Sequence, residues 1–162
     1  MREYKYKISS KLKEMKKTMG IIGVMGLLMM SCAKGNETKI STFHDNESHL
    51  MGNDCITCHV KDGGGEGWFT AAGTVYDTAL VNTYPNLTID LYSGINGTGD
   101  LIKTIEVDGK GNFYTTKKID FTNGLYPTVT NETGVKQNMQ IPTTSGACNS
   151  CHGVITDKIW AD

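Results

Sequence analysis

Two identical thiol frames, Cys55-Ile-Thr-Cys58-His59 and Cys148-Asn-Ser-Cys151-His152, constrain this 162-residue chain more than any other feature. Each sets two cysteines three residues apart with a histidine directly behind them. Such a stretch offers two soft sulfurs and an imidazole to one object, and the chain does so twice. Outside the frames stand one further cysteine, Cys32, and two further histidines, His44 and His49. A chain of this length makes one domain, or one domain with appendages. With 38% hydrophobic and 20% charged residues, it falls outside the collagen-like, fully disordered and polytopic membrane classes.

The formal net charge of −1 hides a division along the chain. Residues 1–31 carry seven Lys and Arg against two acids, whereas residues 32–162 carry nine Lys, fifteen acids and no Arg. An acidic chain without Arg is poorly equipped to hold phosphates, so nucleic acid is set aside as a partner. The basic stretch runs into Met19–Met30, twelve residues without a charge, and then into Ser31-Cys32. Twelve helical residues rise about 18 Å, short of a hydrocarbon core of about 30 Å. Basic, then apolar, then small is the order of a secretory signal. Met15-Lys-Lys is the more usual beginning for one, so the native start is expected at Met15.

Leu28-Met-Met-Ser31-Cys32 resembles a bacterial lipobox, with Met29 standing where Leu is usual. The resemblance implies a signal peptide over 1–31, lipidation at Cys32, and a membrane partner reached through the lipid anchor. Ala33, not Asp, follows the cysteine, which implies an exported bacterial lipoprotein of the outer membrane. Diacyl plus amide-linked chains anchor stably where a single chain does not.

Cys-x-x-Cys-His is the attachment signature of c-type haem. Two thiols at this spacing add across the two vinyl groups of one haem, and the adjoining imidazole meets the iron. On these residues the chain resembles a dihaem c-type cytochrome. That resemblance implies two haem c groups and electron transfer with redox partner proteins, not enzymatic turnover. Cys55, Cys58, Cys148 and Cys151 would be the thioether residues, and His59 and His152 the proximal ligands. His44 and His49, a short way ahead of the first frame, resemble the leader of small multihaem cytochromes and become candidate distal ligands. Met51 and Met139 compete with them, and the pairing of distal groups with irons stays open.

Other uses of four thiols also stay open. A four-thiolate zinc site leaves the histidine behind each pair unexplained. A disulfide within either pair closes too small a loop to stabilise much, and iron–sulfur ligation suits an exported chain least. At the level of function, the rivals are a peroxidase-like haem enzyme, a zinc-stapled surface-binding lipoprotein, and a binding module with incidental haems. The acidic mature chain favours a partner with a basic surface.

Between the frames the sequence reads as β. Residues 63–67 are a Gly-rich linker between a first haem-binding segment, 32–62, and a sandwich over 68–141; residues 142–162 form the second haem-binding segment. Strands are expected at Gly73–Asp77, Leu87–Tyr92, Leu101–Val107, Asn112–Thr116, Lys118–Phe121, Leu125–Thr130 and Val135–Ile141. A turn-rich loop is expected over Ser93–Gly99, and Asp108-Gly-Lys-Gly111 reads as a hairpin turn. Short strands at this spacing predict a mainly β, antiparallel sandwich. The frames Gly73-Thr-Val-Tyr-Asp77, Leu87-Thr-Ile-Asp-Leu-Tyr92 and Thr104-Ile-Glu-Val-Asp-Gly-Lys-Gly-Asn-Phe-Tyr114 resemble carboxypeptidase-regulatory-like, transthyretin-like exported domains. That resemblance implies an Ig-like or transthyretin-like sandwich flanked by the two haem-binding segments, and no catalytic residue. If the ends of this domain meet, the two frames become neighbours.

Overall fold

Leu87, Ile89 and Leu91 recur with period two, which puts three aliphatic side chains on one face of a strand, and all three are buried. They lie in or just before β2 (Thr88–Gly94) of a computed structural model that describes residues 35–162. The signal, Met15 and Cys32 lie outside the described residues. Among those described, no helix is long and apolar enough to cross a membrane.

Strand β2 pairs antiparallel with β3 (Thr98–Glu106) on one side and β5 (Tyr126–Thr130) on the other, and β5 pairs with β6 (Lys136–Asn138). A second sheet has β1 (Ala71–Tyr76) at its centre. It is antiparallel to β4 (Asn112–Thr115) and parallel to β7 (Ile159–Trp160). Inward residues of both sheets make one core, with Ile89, Leu91, Ile105 and Val129 from one and Ala71, Val75 and Phe113 from the other. The fold is the expected mainly β sandwich.

Several expected boundaries move, each for a local reason. Strand β2 extends to Gly94 and β3 begins at Thr98, because a tight 3-10 turn, Ile95–Gly97, replaces the longer loop expected there. The Asp108–Gly111 turn does not close a hairpin of paired strands: β3 and β4 belong to different sheets, and the turn carries the chain across the sandwich. The fully buried Asp108 fixes it, its Oδ1 accepting from the backbone of Lys110 (2.9 Å) and Asn112 (3.0 Å). Lys118–Phe121 is not a strand. Ile119 and Phe121 pack on the core from an irregular segment, ended where Asp120 accepts from Thr122 N–H (2.9 Å). Val135–Ile141 contributes only β6, and β7 was not expected.

All six residues of β1 are buried, and what covers this strand explains where the two frames sit. Lys39–Ser41 lies along β4: Ser41 N–H donates to Tyr114 O (3.0 Å) and Thr116 N–H to Lys39 O (2.9 Å). On the other side, Ala72 N–H donates to Gly146 O (2.9 Å), and Ala147 bridges Ala72 in parallel. The chain then departs through Cys148–Lys158 and returns as β7 beside Val75 and Tyr76. The second frame is thus an excursion from a strand that runs along β1. A side chain at Gly146 would collide with the backbone of Thr70 and Ala71, so this approach requires glycine.

Candidate functional site

Both frames wind the same single turn. Cys55–Thr57 and Cys148–Ser150 are 3-10 turns, closed by the second cysteine's N–H on the first cysteine's carbonyl at 3.2 Å in each. The following histidine N–H reaches that same carbonyl at 2.9 Å in both. In a 3-10 turn residues i and i+3 eclipse one another, so each frame sets its two cysteines on one side of the turn, with the histidine directly behind them. Asp54 caps the first turn, its Oδ1 accepting from Ile56 N–H (3.2 Å). Ser145 Oγ accepts from Ala147 N–H (3.2 Å) ahead of the second.

The imidazoles are oriented alike. His59 Nδ1 lies 3.0 Å from Glu66 O and 3.3 Å from Gly67 O, and His152 Nδ1 lies 2.8 Å from Asp157 O. A carbonyl only accepts, so Nδ1 carries the proton and Nε2 keeps a lone pair for a metal. A backbone carbonyl behind a ligating histidine also fixes its tautomer and raises its basicity. The Gly run, expected as a linker, therefore also forms the back wall of His59. A Cβ at Gly65 would come within 2.6 Å of His59 Nδ1, and Gly67 has φ +69°. The ring of Phe69 stacks on His59 at 4.1 Å and 7°, and Tyr114 stacks on Phe69 at 4.9 Å. Burial, with Asp45, Asp108 and Glu47 nearby, pushes the Tyr114 phenol up to about 12.

The leader histidines part company. His49 stands 6.1 Å from His59 between ring centroids, tilted by 37°. Two imidazoles on opposite sides of one metal, each bonded at about 2.0–2.1 Å, have centroids about 6 Å apart. The main chain beside His49 is held by Ser48, whose Oγ accepts from Asn112 Nδ2 (2.9 Å) and whose carbonyl accepts from Lys110 Nζ (2.7 Å). His44 is exposed at φ 65°, and its N–H donates to Asn86 Oδ1 (3.0 Å) just ahead of β2. Met51 is exposed.

A buried polar network, not foreseen from the sequence, ties the two frames together. Asn149, the residue after Cys148, accepts from Thr74 N–H on Oδ1 (3.1 Å). Its Nδ2 donates to Thr74 Oγ1 (3.1 Å) and to Asn53 O (3.1 Å), two residues before Cys55. Thr74 Oγ1 also accepts from Gly52 N–H (2.9 Å) and donates to Asn112 Oδ1 (2.7 Å). The frames are neighbours across β1. An asparagine within a Cys-x-x-Cys turn was the one available signal.

Beside the second frame opens a cleft of about 420 Å³. Cys148, Cys151 and His152 line it, with Ile89, Phe113, Val129, Ile159 and Trp160 supplying apolar walls. A mostly apolar cleft of a few hundred Å³ with convergent polar groups is the ordinary form of a cofactor site. Large apolar side chains also stand exposed by both frames: Leu50, Met51 and Val60 near the first, Val154, Ile155 and Trp160 near the second. A flat apolar group held by the thiols would cover such surface. The donor set, the free Nε2 atoms and the apolar walls all fit haem c.

The rival uses of the thiols fit less well. Among the described residues no three His, Cys, Asp or Glu side chains converge on a metal position, and a four-thiolate zinc site still leaves the histidine behind each pair without a role. The four cysteines are free. Desolvation pushes the Cys148 thiol up to about 12 and raises that of Cys55, opposite to the lowered values of reactive dithiol centres. Compared with family models, with curated proteins and with solved structures, the chain matches none.

Proposed function

We propose that this chain is a membrane-anchored c-type cytochrome that carries two covalently bound haems and transfers electrons between protein partners. The observation that carries the reading is the repeated histidine geometry: both Nδ1 atoms spend their proton on a backbone carbonyl, leaving Nε2 to ligate. Cys55 and Cys58 hold one haem and Cys148 and Cys151 the other, with His59 and His152 as proximal ligands. His49 is the distal ligand of the first iron, on its 6.1 Å separation from His59.

Each haem supplies a one-electron couple, so an electron enters and leaves with no bond made or broken. The chain's own residues do the rest. The 3-10 turns present sulfurs and imidazole together, the carbonyls of Glu66 and Asp157 hold the proximal rings, and the network of Asn149, Thr74 and Asn112 keeps the two sites adjacent. The lipid on Cys32 holds the domain at the outer membrane, and its acidity draws partners with basic surfaces. His49, standing 6.1 Å from His59, would leave a haem held there without the open site a peroxidase needs.

The test is the mature protein made alongside c-type haem maturation machinery, read by absorption spectrum and denatured intact mass. The expected result is two covalent haems per chain and a low-spin, six-coordinate spectrum. A colourless protein with four free thiols, or one carrying zinc, would overturn the proposal.

A further inference from the structure

The cleft beside the second frame contains no histidine except His152. His49 is beside His59, and His44 sits ahead of β2, bonded through its backbone to Asn86. Because Cys148, Cys151 and His152 all line this cleft, a haem held by them would face it, and a distal ligand would come from its other lining side chains. Apart from the frame itself, the side chains there with a donor suited to haem iron are Lys158 and Met139. Lys158 is committed elsewhere: its Nζ donates to Leu80 O (2.9 Å) and lies 4.0 Å above the ring of Tyr76. Met139 has no such commitment. It directly follows β6, its backbone N–H is fixed on Pro127 O (2.9 Å), and its side chain is half-buried. A thioether carries no charge to desolvate, and its flexible stem adapts to a ligand in an apolar cleft.

Resting on the dihaem reading above, we infer that Met139 Sδ is the distal ligand of the second iron, opposite His152. The two centres are then unlike, His49 with His59 at the first and Met139 with His152 at the second. A methionine ligand raises the reduction potential relative to a second imidazole, so the first haem is the stronger reductant of the pair. The two frames are neighbours through Asn53 and Asn149, so haems held by them would favour transfer from the first to the second. The acidic leader is then the entry side, and the apolar cleft the exit side.

The test uses the full mature protein loaded with haem. The ferric spectrum should show the far-red sulfur-to-iron charge-transfer band at an intensity of one haem in two, and a redox titration should resolve two waves. Met139→Leu should abolish the band and turn one haem high-spin while the mass still shows two haems. Met139→His should return both haems to low spin and bring the two waves together. Met51→Leu should leave the band unchanged. Two haems without a sulfur band, or a band that survives Met139→Leu, would overturn this inference and leave the dihaem reading standing. A mass with fewer than two haems would overturn both.

Discussion

The two frames share a sequence pattern and a backbone turn, yet their surroundings differ. The first lies between His49 and the stacked rings of Phe69 and Tyr114. Its segment, residues 36–67, carries six acids against Lys39 and Lys61. The second opens on a cleft walled by the sandwich's own apolar side chains, and residues 142–162 carry only Asp157 and Asp162 against Lys158. In the dihaem reading proposed above, the frame would set attachment, whereas the sheet beside it would set the distal group and the dielectric, which are the quantities that tune a haem. A duplicated motif need not make duplicate sites.

What the sites share should break both at once. Asn149 satisfies Thr74 N–H and Thr74 Oγ1 on β1 and Asn53 O of the first segment, all at 3.1 Å. Asn149→Leu fits a similar volume but leaves a buried N–H without a partner, which costs about 2–4 kcal/mol with the bonds lost. Chemical denaturation of the domain should show that loss, and both haem environments should shift. Ser150→Ala, at the exposed neighbouring position, should cost less than about 0.5 kcal/mol. A change confined to the second haem would mean that the frames are merely adjacent.

What the sites do not share should separate them. Gly65→Val places a branched side chain where even a Cβ would meet the His59 ring at 2.6 Å, and Gly64 has nothing within 4 Å. Gly65→Val should displace His59, cost about 1–3 kcal/mol, and perturb one haem of the two in resonance Raman or magnetic circular dichroism spectra. Gly64→Ala should be silent in both measurements. If both haems respond equally to Gly65→Val, the glycine wall does not belong to the first site alone.

The sequence was informative where chemistry is written in local spacing. The period-two aliphatic residues of β2 were readable as a half-buried strand, and of the two leader histidines only His49 stands near His59, at 6.1 Å. The unreadable parts depend on contacts distant in sequence. Asn149 and Thr74 are 75 residues apart, and no local rule joins them. Asp108 looked like a hairpin turn because Asp-Gly starts one, but the same turn also lets a chain cross between sheets. Strand β7 is two residues long and exists only because the edge of β1 was available. The glycine run read as a linker because flexibility is glycine's commonest use; its other use, close approach to a ring, appears only once His59 is in place.

The four thiols extend the comparison to the haem-free protein. Desolvation raises both inner cysteines, and more strongly at the cleft, where Cys148 is pushed up to about 12. The thiolate is the nucleophile, so a raised value lowers reactivity at neutral pH and restores it as the pH climbs. Alkylation followed by peptide mass mapping should find exposed Cys58 and Cys151 labelled first, Cys55 next and Cys148 last, with the lag of Cys148 shrinking above about pH 10. Equal labelling of Cys55 and Cys148 would mean that the cleft does not shield its sulfur.

The smallest expected effect concerns partners and follows from the charge difference between the segments. Glu47 and Asp62 are exposed acids of the first segment, so Glu47→Lys together with Asp62→Lys reverses two charges there without touching a ligand. Exposed charges act on encounter more than on the bound complex, and salt screens them. Electron uptake from a small basic redox protein should slow several-fold at low ionic strength and recover at high salt, with both haem spectra unchanged. Asp157→Lys on the second segment should change the rate less. An equal slowing from both substitutions would show that partners do not distinguish the two ends, and would remove the acidic leader as the entry side even if the irons themselves prove unlike.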